Sequence, residues 1–499
     1  MIIKTDQAAI QSYFEDSSNI EGGHAEKVFF PETAGDISSI LKEASENGTP
    51  VTVSGGGTGT TGGRVPFGGV TVSMEKFNKI KQIVPRGSSG GISVVQAGAL
   101  VDDLKRSAYE SGLFYACYPT EHTAFVGGTI ATNASGARSF KYGSTRNSVR
   151  KLTAVLSGGQ VIEIERGRSV VTRNNNRIEF AGAVAIDIPI PTYTMPETKN
   201  SAGYYAKEGM DPIDLFIGQE GTLAVIVEAE IELAKRPEGV FSCCAFFRDE
   251  FDAWSFCAEA RSGPGGGESG TKPRPGLLAI EYMDRNSLAV MKDKYPNIPE
   301  GAAACVFFEQ EVSVSDEEGV LDGWQRLLDS YNVASDATWA AMTEKERGEL
   351  VEFRHALPSM INEIVRRSGF KKLSTDFAVP DDKLFEMMRF YRDIYRKSAI
   401  DHVVFGHIGE SHVHTNLLPK TNAEYDKAWR LCLECARKAV DLGGTVSAEH
   451  GIGKTKHAYL NVMYGENGVL EMAKLKKAVD PACILGLDNI FPKELLSAI

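Results

Sequence analysis

The sequence predicts an α+β protein with more than one hydrophobic core, and three observations carry that prediction. A chain of 499 residues, 42% of them hydrophobic, is long enough to bury two or three cores. Segments with a helical apolar stripe alternate with short β-branched runs. The densest glycine cluster falls between two strands with no helix behind it, which excludes the first turn of a doubly wound parallel sheet.

From Ala34 to Glu46 the chain reads as a helix, with Ile37, Ile40, Leu41 and Ala44 as its apolar stripe and Asn47-Gly48 as its stop. The strand Val51-Thr52-Val53-Ser54 follows, then Gly55-Gly56-Gly57-Thr58-Gly59-Thr60-Thr61-Gly62-Gly63. Six glycines in these nine positions leave backbone N–H groups free to approach a ligand rich in acceptors, such as a pyrophosphate. The spacing Gly57-x-Gly59-x-x-Gly62 matches a dinucleotide fingerprint, which requires a following helix. Arg64 to Gly69 is instead a turn, and Val70-Thr71-Val72-Ser73 is the next strand. The stretch is therefore a phosphate-cradling loop between strands. A mobile linker would be a Ser/Gly mixture without flanking strands.

A strand over Gly91 to Gly98 and a helix near Leu100 to Ser111 lead to a second glycine-rich stretch, Pro119 to Gly136. Small residues at Gly127, Gly128, Ala131, Ala134 and Gly136 let the backbone lie against a planar group, while Asn133 and Ser135 offer hydrogen bonds without bulk. Close packing between elements is the plainer alternative. Arg138-Ser139-Phe140-Lys141-Tyr142-Gly143 follows it. A third stretch runs from Lys199-Asn200-Ser201-Ala202-Gly203-Tyr204 to Gly218-Gln219-Glu220-Gly221-Thr222-Leu223-Ala224-Val225-Ile226.

These three segments, in this order, resemble the vanillyl-alcohol-oxidase-like FAD flavoproteins with a PCMH-type FAD-binding domain. The branch they most resemble is the D-2-hydroxyacid dehydrogenases: D-lactate dehydrogenase, glycolate oxidase large subunit and D-2-hydroxyglutarate dehydrogenase. The resemblance implies that Ser54, Gly55, Gly56, Gly57, Thr58 and Gly59 hold the pyrophosphate of FAD. It places Gly127, Gly128, Thr129, Asn133 and Gly136 near the isoalloxazine or the pyrophosphate, adds Pro119, Tyr142 and Gly143 as cofactor-binding, and puts Glu220, Gly221 and Ile226 in the segment that closes over the cofactor. It also implies a two-lobed FAD-binding domain over 1–236, a cap domain over 237–440 and a C-terminal segment, 441–499, that completes the active site. The cap is expected as an antiparallel sheet with helices on one side. The family often ties its flavin through a His or Cys near the glycine loop. Neither occurs in this loop, so non-covalent FAD is expected.

Lys235-Arg236-Pro237 ends the first domain, and Gly263 to Gly270 reads as a surface loop in the second. Asp381 to Lys397 is an amphipathic helix, and His402-Val403-Val404-Phe405 a buried strand. Next, Gly406-His407-Ile408-Gly409-Glu410-Ser411-His412-Val413-His414 gathers three of the nine histidines. Imidazoles this dense suit a divalent transition metal. If Ser411 to Leu417 is a strand, His412 and His414 share a face. The stretch is similar to the family's His-x-Gly-Asp-Gly-Asn-x-His, whose outer histidines ligate zinc or a similar ion. That maps onto His407 and His414, with Glu410, Ser411 and His412 as departures, and leaves His412 as an extra ligand or a substrate contact. Gly443 to Lys454 resembles the family's Gly-Glu-His-Gly-Ile-Gly, which implies Glu449 as third metal ligand and His450 as catalytic base. Zinc is the first expectation, manganese or iron the next. Arg354 matches the family's carboxylate-binding arginine, whose planar fork suits bidentate contact. A family lysine would fall on Ser374. Either Lys371 or Lys372 substitutes, or the substrate lacks a second charged end, as D-lactate does.

The reading is an FAD- and metal-dependent dehydrogenase of a small D-2-hydroxy acid. Its electron acceptor is open among a quinone, an electron-transferring flavoprotein, a cytochrome and an iron–sulfur subunit, and so is its oligomeric state. A formal charge of −12 argues against nucleic acid, whose binding needs a positive surface. No apolar run reaches spanning length, and the N-terminus turns polar too early for a signal peptide. Cytoplasmic placement, with at most peripheral contact at the inner membrane face, is expected. Eight scattered cysteines suit a reducing compartment, and Cys432 and Cys435 fall at core spacing on one helix. Two rivals share the cofactor: a non-redox transferase of the alkylglycerone-phosphate synthase type, and a non-catalytic FAD subunit of a glycolate oxidase complex.

Overall fold

Helix Ala34–Asn47 shows how local sequence builds the first lobe. Thr33 and Asp36 form a capping box at its start, and Gly48 takes a left-handed φ of 63° at its end. It buries Ile37, Ile40, Leu41 and Ala44 and joins Lys27–Phe30 to Val51–Ser54. This is a computed structural model, and it describes residues 1–180, 184–262, 276–334 and 337–499. The expected surface loop Gly263 to Gly270 lies outside the described residues. Strand order in the first sheet is Ile2–Lys4, Lys27–Phe30, Val70–Ser73, Val51–Ser54. The last two are parallel neighbours, so the glycine loop must run back along the sheet between them, and it does so without a helix.

The second lobe is antiparallel, in the order Ile80–Pro85, Gly91–Gln96, Ala224–Lys235, Val149–Leu156, Val161–Glu165. Its central strand, Ala224–Lys235, alternates buried and half-buried residues along its second half, as a sheet with one covered face demands.

The largest sheet belongs to the cap. Its order is Trp339–Ala341, Gly239–Phe247, Ala304–Val312, Leu277–Asp284, His402–Gly406, His412–Leu417, Leu373–Ser374, and Phe377–Ala378 adds to His412–Leu417. Successive residues of Gly239–Phe247 face opposite ways. Cys243, Ala245 and Phe247 join the core that holds Trp254 and Trp324, whereas Cys244 and Phe246 pack with Phe353, Leu357 and Ile361. Helices Glu250–Ser262 and Glu317–Asp329 therefore cover one face and helix Glu344–Ser368 the other. This corrects the expectation of helices on one side. A strand apolar at nearly every position, as this one is, must be buried on both faces.

After helix Asn422–Asp441, in which Cys432 and Cys435 are buried, the chain returns to the first lobe. Lys476, 1% exposed, donates to the carbonyls of Thr222 and Leu485 and to Asp480. Val51 donates to Ile484 and accepts from Gly486. Glu220 accepts from the N–H groups of Ile452 and Gly453 at 2.8 and 2.7 Å. Among the described residues no helix is long and apolar enough to cross a membrane.

Burial is the largest influence on the Glu220 carboxyl and raises it from 4.5 to about 7, against the two N–H donors. In that window the folded chain keeps a proton that the unfolded chain has lost, so stability from this group falls as pH rises. Chemical denaturation from pH 5 to 7 should show wild type losing up to about 1.4 kcal/mol per pH unit relative to Glu220→Gln. Parallel pH profiles would refute this.

Candidate active site

Two short strands of the cap, His402–Gly406 and His412–Leu417, pair antiparallel around a 3-10 turn, Ile408–Glu410. Ser411 closes the turn at a left-handed φ of 52°. This hairpin sets His407 at its bend, and His412 and His414 two residues apart on one face. Glu449 and His450 arrive on the loop after the long helix, held where Ala448 donates to the Asp376 carbonyl at 2.7 Å.

His407 Nε2 and His414 Nε2 lie 3.3 and 3.1 Å from one oxygen of Glu449. Behind them, His407 Nδ1 donates to Glu281 at 2.6 Å and His414 Nδ1 to the Thr375 carbonyl at 3.2 Å. Each ring is thus anchored by its far nitrogen and aimed by its near one, as metal-ligating imidazoles are. Four carboxylates meet here, Glu281, Glu410, Glu449 and Asp376. Three fixed cations pair with them: Arg354 with Glu281, Lys199 with both Glu410 and Glu449, and Lys456 with Asp376. The excess negative charge calls for a proton or a metal ion. Burial lowers the His407 pKa, but Glu281 and Glu449 outweigh it and raise it to about 9. Burial opposes ionisation of Glu281 too, yet Arg354 and His407 hold it near 2. Nitrogen and carboxylate donors with a net negative balance fit a divalent ion.

His450 borders the cleft, with 37% of its side chain exposed. Its Nδ1 is 3.5 Å from Asp376, and its own N–H donates to that carboxylate at 3.0 Å. Desolvation in this recess pushes the imidazole down to about 4, so it is neutral at pH 7. Asp376 is buried and also accepts from Ser447 Oγ at 2.7 Å and Lys456 Nζ at 2.9 Å.

Arg354 departs from the expectation. Its Nε and Nη2 both face Glu281, at 3.3 and 3.0 Å, and Nη1 donates to Thr120 Oγ1 at 3.1 Å. The bidentate fork is engaged within the protein, where it braces Glu281 against His407. Lys371 and Lys372 bond Asn19 and Asn362, and neither meets the cluster.

The expected cofactor residues divide into two groups. Gly55 and Gly128 face open space, with nothing within 4 Å of where a Cβ would stand. Ser54 is fully buried, and its hydroxyl has no hydrogen-bond partner among the described residues. Bare backbone and an orphaned hydroxyl at the head of the loop fit a phosphate ligand. Thr58 is half-buried, and Gly56 and Gly59 lie exposed on the same loop. Other positions serve the protein itself. A Cβ on Gly57 would stand 2.6 Å from Arg64, whose guanidinium donates to the Gly55 carbonyl, and one on Gly127 would strike Ala97 at 2.5 Å. Gly136 packs on the Tyr118 carbonyl near Pro119, and Thr129 bonds within helix Val126–Ala131. Asn133, at φ 50°, accepts from Arg146 N, while Tyr142 donates to Glu311 of the cap, just before Gly143. Glu220 and Gly221 meet the C-terminal segment, and Ile226 is buried where the central strand shifts register. Sequence reasoning assigned no role to Glu281, Asp376 or Lys199, whereas Ser135, read as a hydrogen-bonding residue, donates to Glu449 at 2.9 Å. An acid in the middle of the apolar run 277–283 was the available signal for Glu281.

Fold and site together define an FAD-linked oxidoreductase. Residues 25–165 match the family described as FAD binding domain, and residues 271–487 the one described as FAD linked oxidases, C-terminal domain. The chain belongs to the FAD-linked oxidases. It is 29% identical to a D-lactate dehydrogenase of Archaeoglobus fulgidus, over 93% of this chain and 90% of that one. It is 28% identical to a glycolate oxidase subunit of Bacillus subtilis, over 94% and 89%. A mitochondrial D-2-hydroxyglutarate dehydrogenase of Rattus norvegicus is 26% identical, over 98% and 82%. A solved structure of alkyldihydroxyacetonephosphate synthase matches with TM-score 0.64 at 15% identity, over 97% of this chain and 82% of that one, a likeness of fold alone.

Two variants test this geometry. Glu281→Ala strands two buried cations, His407 and Arg354, and should cost about 3 kcal/mol in chemical unfolding. Gly55→Ala puts a Cβ where no protein atom lies within 4 Å and should keep its melting temperature but lose flavin absorbance on purification. Full flavin retention would remove Gly55 from the cradle.

Proposed function

We propose that the chain is a dehydrogenase dependent on FAD and a divalent metal, oxidising a D-2-hydroxy acid of D-lactate type to the 2-oxo acid. The observation that carries this reading is the convergence of His407 and His414 on one Glu449 oxygen, with neutral His450 beside them. Relatives named D-lactate dehydrogenase and glycolate oxidase subunit support the substrate class. The division into an FAD-binding domain over 1–236, a cap over 237–440 and a completing segment over 441–499 is part of the proposal.

Oxidising such an acid removes a hydride from C2 and a proton from its hydroxyl. When bound, FAD supplies the two-electron acceptor and the metal a Lewis acid at the substrate oxygens. The chain does the rest. His407, His414 and Glu449 would hold the ion. Lys199, 3.0 Å from Glu449, keeps that carboxylate ionised and in place. His450 accepts the hydroxyl proton, and Asp376 behind Nδ1 stabilises the imidazolium that results. Lys371 and Lys372 are turned to Asn19 and Asn362 and do not replace the family lysine, which favours a monocarboxylate over 2-hydroxyglutarate. Zinc comes first among candidate ions, then manganese and iron. The electron acceptor that completes the cycle would be a quinone, an electron-transferring flavoprotein, a cytochrome or an iron–sulfur partner. The fold likeness to the synthase, at 15% identity, lends the transferase alternative no chemical support.

Anaerobic D-lactate should bleach the flavin band of the metal-loaded protein, with L-lactate far slower. A flavin that no 2-hydroxy acid bleaches would sink the reading. His450→Gln should keep its flavin and reduce it about 10²- to 10⁴-fold more slowly in stopped flow. Chelation should abolish reduction by substrate, and readded metal should restore it.

A further inference from the structure

We infer that His412 is a fourth protein ligand of the ion, so that three imidazoles and one carboxylate hold it. The inference rests on the proposed metal site and concerns a residue at which this chain departs from the motif it resembles, where asparagine stands. His412 has 0% of its surface exposed, and neither ring nitrogen has a hydrogen-bond partner among the described residues. Leaving a buried polar group unpaired costs about 1–3 kcal/mol, so an imidazole with both nitrogens idle is unfinished without a ligand. Its ring centre lies 4.5 Å from that of His414 and 5.3 Å from that of His407. One donor atom from each of His407, His412, His414 and Glu449 falls within 4.8 Å of the others.

The surroundings repeat the arrangement of the other two histidines. His407 has Glu281 behind it and His414 has the Thr375 carbonyl. His412 has Asp376, whose Oδ1 lies 3.0 Å from Nε2 but off the line that a hydrogen bond needs, and that oxygen is itself unpartnered among the described residues. With Nε2 facing Asp376, Nδ1 is the nitrogen left for the ion. Asp376 then acts on two fronts, orienting His412 with one oxygen while the other faces His450. The ligand count also constrains the ion. Four protein ligands would saturate tetrahedral zinc, first choice for a three-ligand site, and leave substrate no position, so the fourth ligand moves six-coordinate Mn²⁺ or Fe²⁺, with two positions for the hydroxyl and carboxylate oxygens, ahead of it.

The test loads the flavin-bound protein with Co²⁺. A crystal structure, with the ion located by anomalous scattering, should place a His412 nitrogen about 2.1 Å from it. An ion held by His407, His414 and Glu449 with His412 beyond about 3 Å would overturn the inference and leave the proposed metal site standing. In chelator competition, His412→Asn should weaken Co²⁺ at least about tenfold, with flavin content reporting an intact fold. Unchanged affinity in a folded His412→Asn alongside lost affinity in His414→Ala overturns the inference alone. A wild type without stoichiometric Co²⁺ overturns both the inference and the metal site. Should His412→Asn fail to fold, the wild-type crystal decides.

Discussion

The Glu449 carboxylate is the junction on which the rest of the site depends. One of its oxygens faces the cap, within reach of His407 and His414. The other accepts from Ser135 Oγ at 2.9 Å and Lys199 Nζ at 3.0 Å, both from the first half of the chain. The residue itself comes from the C-terminal segment. Segments of the chain as far as 314 residues apart therefore meet on one buried acid. Such an acid is tolerated only when paired on every side, so its position ties the cap to the flavin-binding lobes.

Charge explains why the cluster is built as it is. Each acid at the centre has a cation or an imidazole at its back, and the four carboxylates outnumber the three fixed cations until a proton on His407, or a metal ion, makes up the difference. Burial alone would protonate the acids, but Lys199 and His407 hold Glu449 well below the ordinary carboxylate range, and His450 and Lys456 do the same for Asp376. The set is thus kept ionised and ready for a cation. His450 differs because loss of water around its ring outweighs the pull of Asp376 and Glu449. It stays neutral, the state that a proton acceptor requires.

Much of the fold was legible. The helix over 34–47, the glycine loop without a following helix and the core role of Cys432 and Cys435 follow from periodicity and turn chemistry, which act over a few residues. The cap was less legible. Its strand Gly239–Phe247 is apolar at nearly every position, and periodicity cannot tell which face a helix covers when both faces are buried. Of the site, the His407 to His414 run and the Glu449-His450 pair stood out because histidine is scarce and glycine frames both. The residues that steer them did not. Glu281 looks like an ordinary strand residue, and Lys199 like a surface lysine before a turn.

By itself the sequence determined the local chemistry: where backbone is left bare for a phosphate, where imidazoles cluster, and where an acid stands next to a base. Tertiary structure alone decided which partner each group meets. Arg354 shows the difference. Its sequence context marks a carboxylate-binding arginine, but only the folded chain reveals that the carboxylate facing its fork is Glu281. The reason is physical: hydrogen bonds and ion pairs between remote segments depend on how the sheets close against each other, and no residue pattern within a segment encodes that distance.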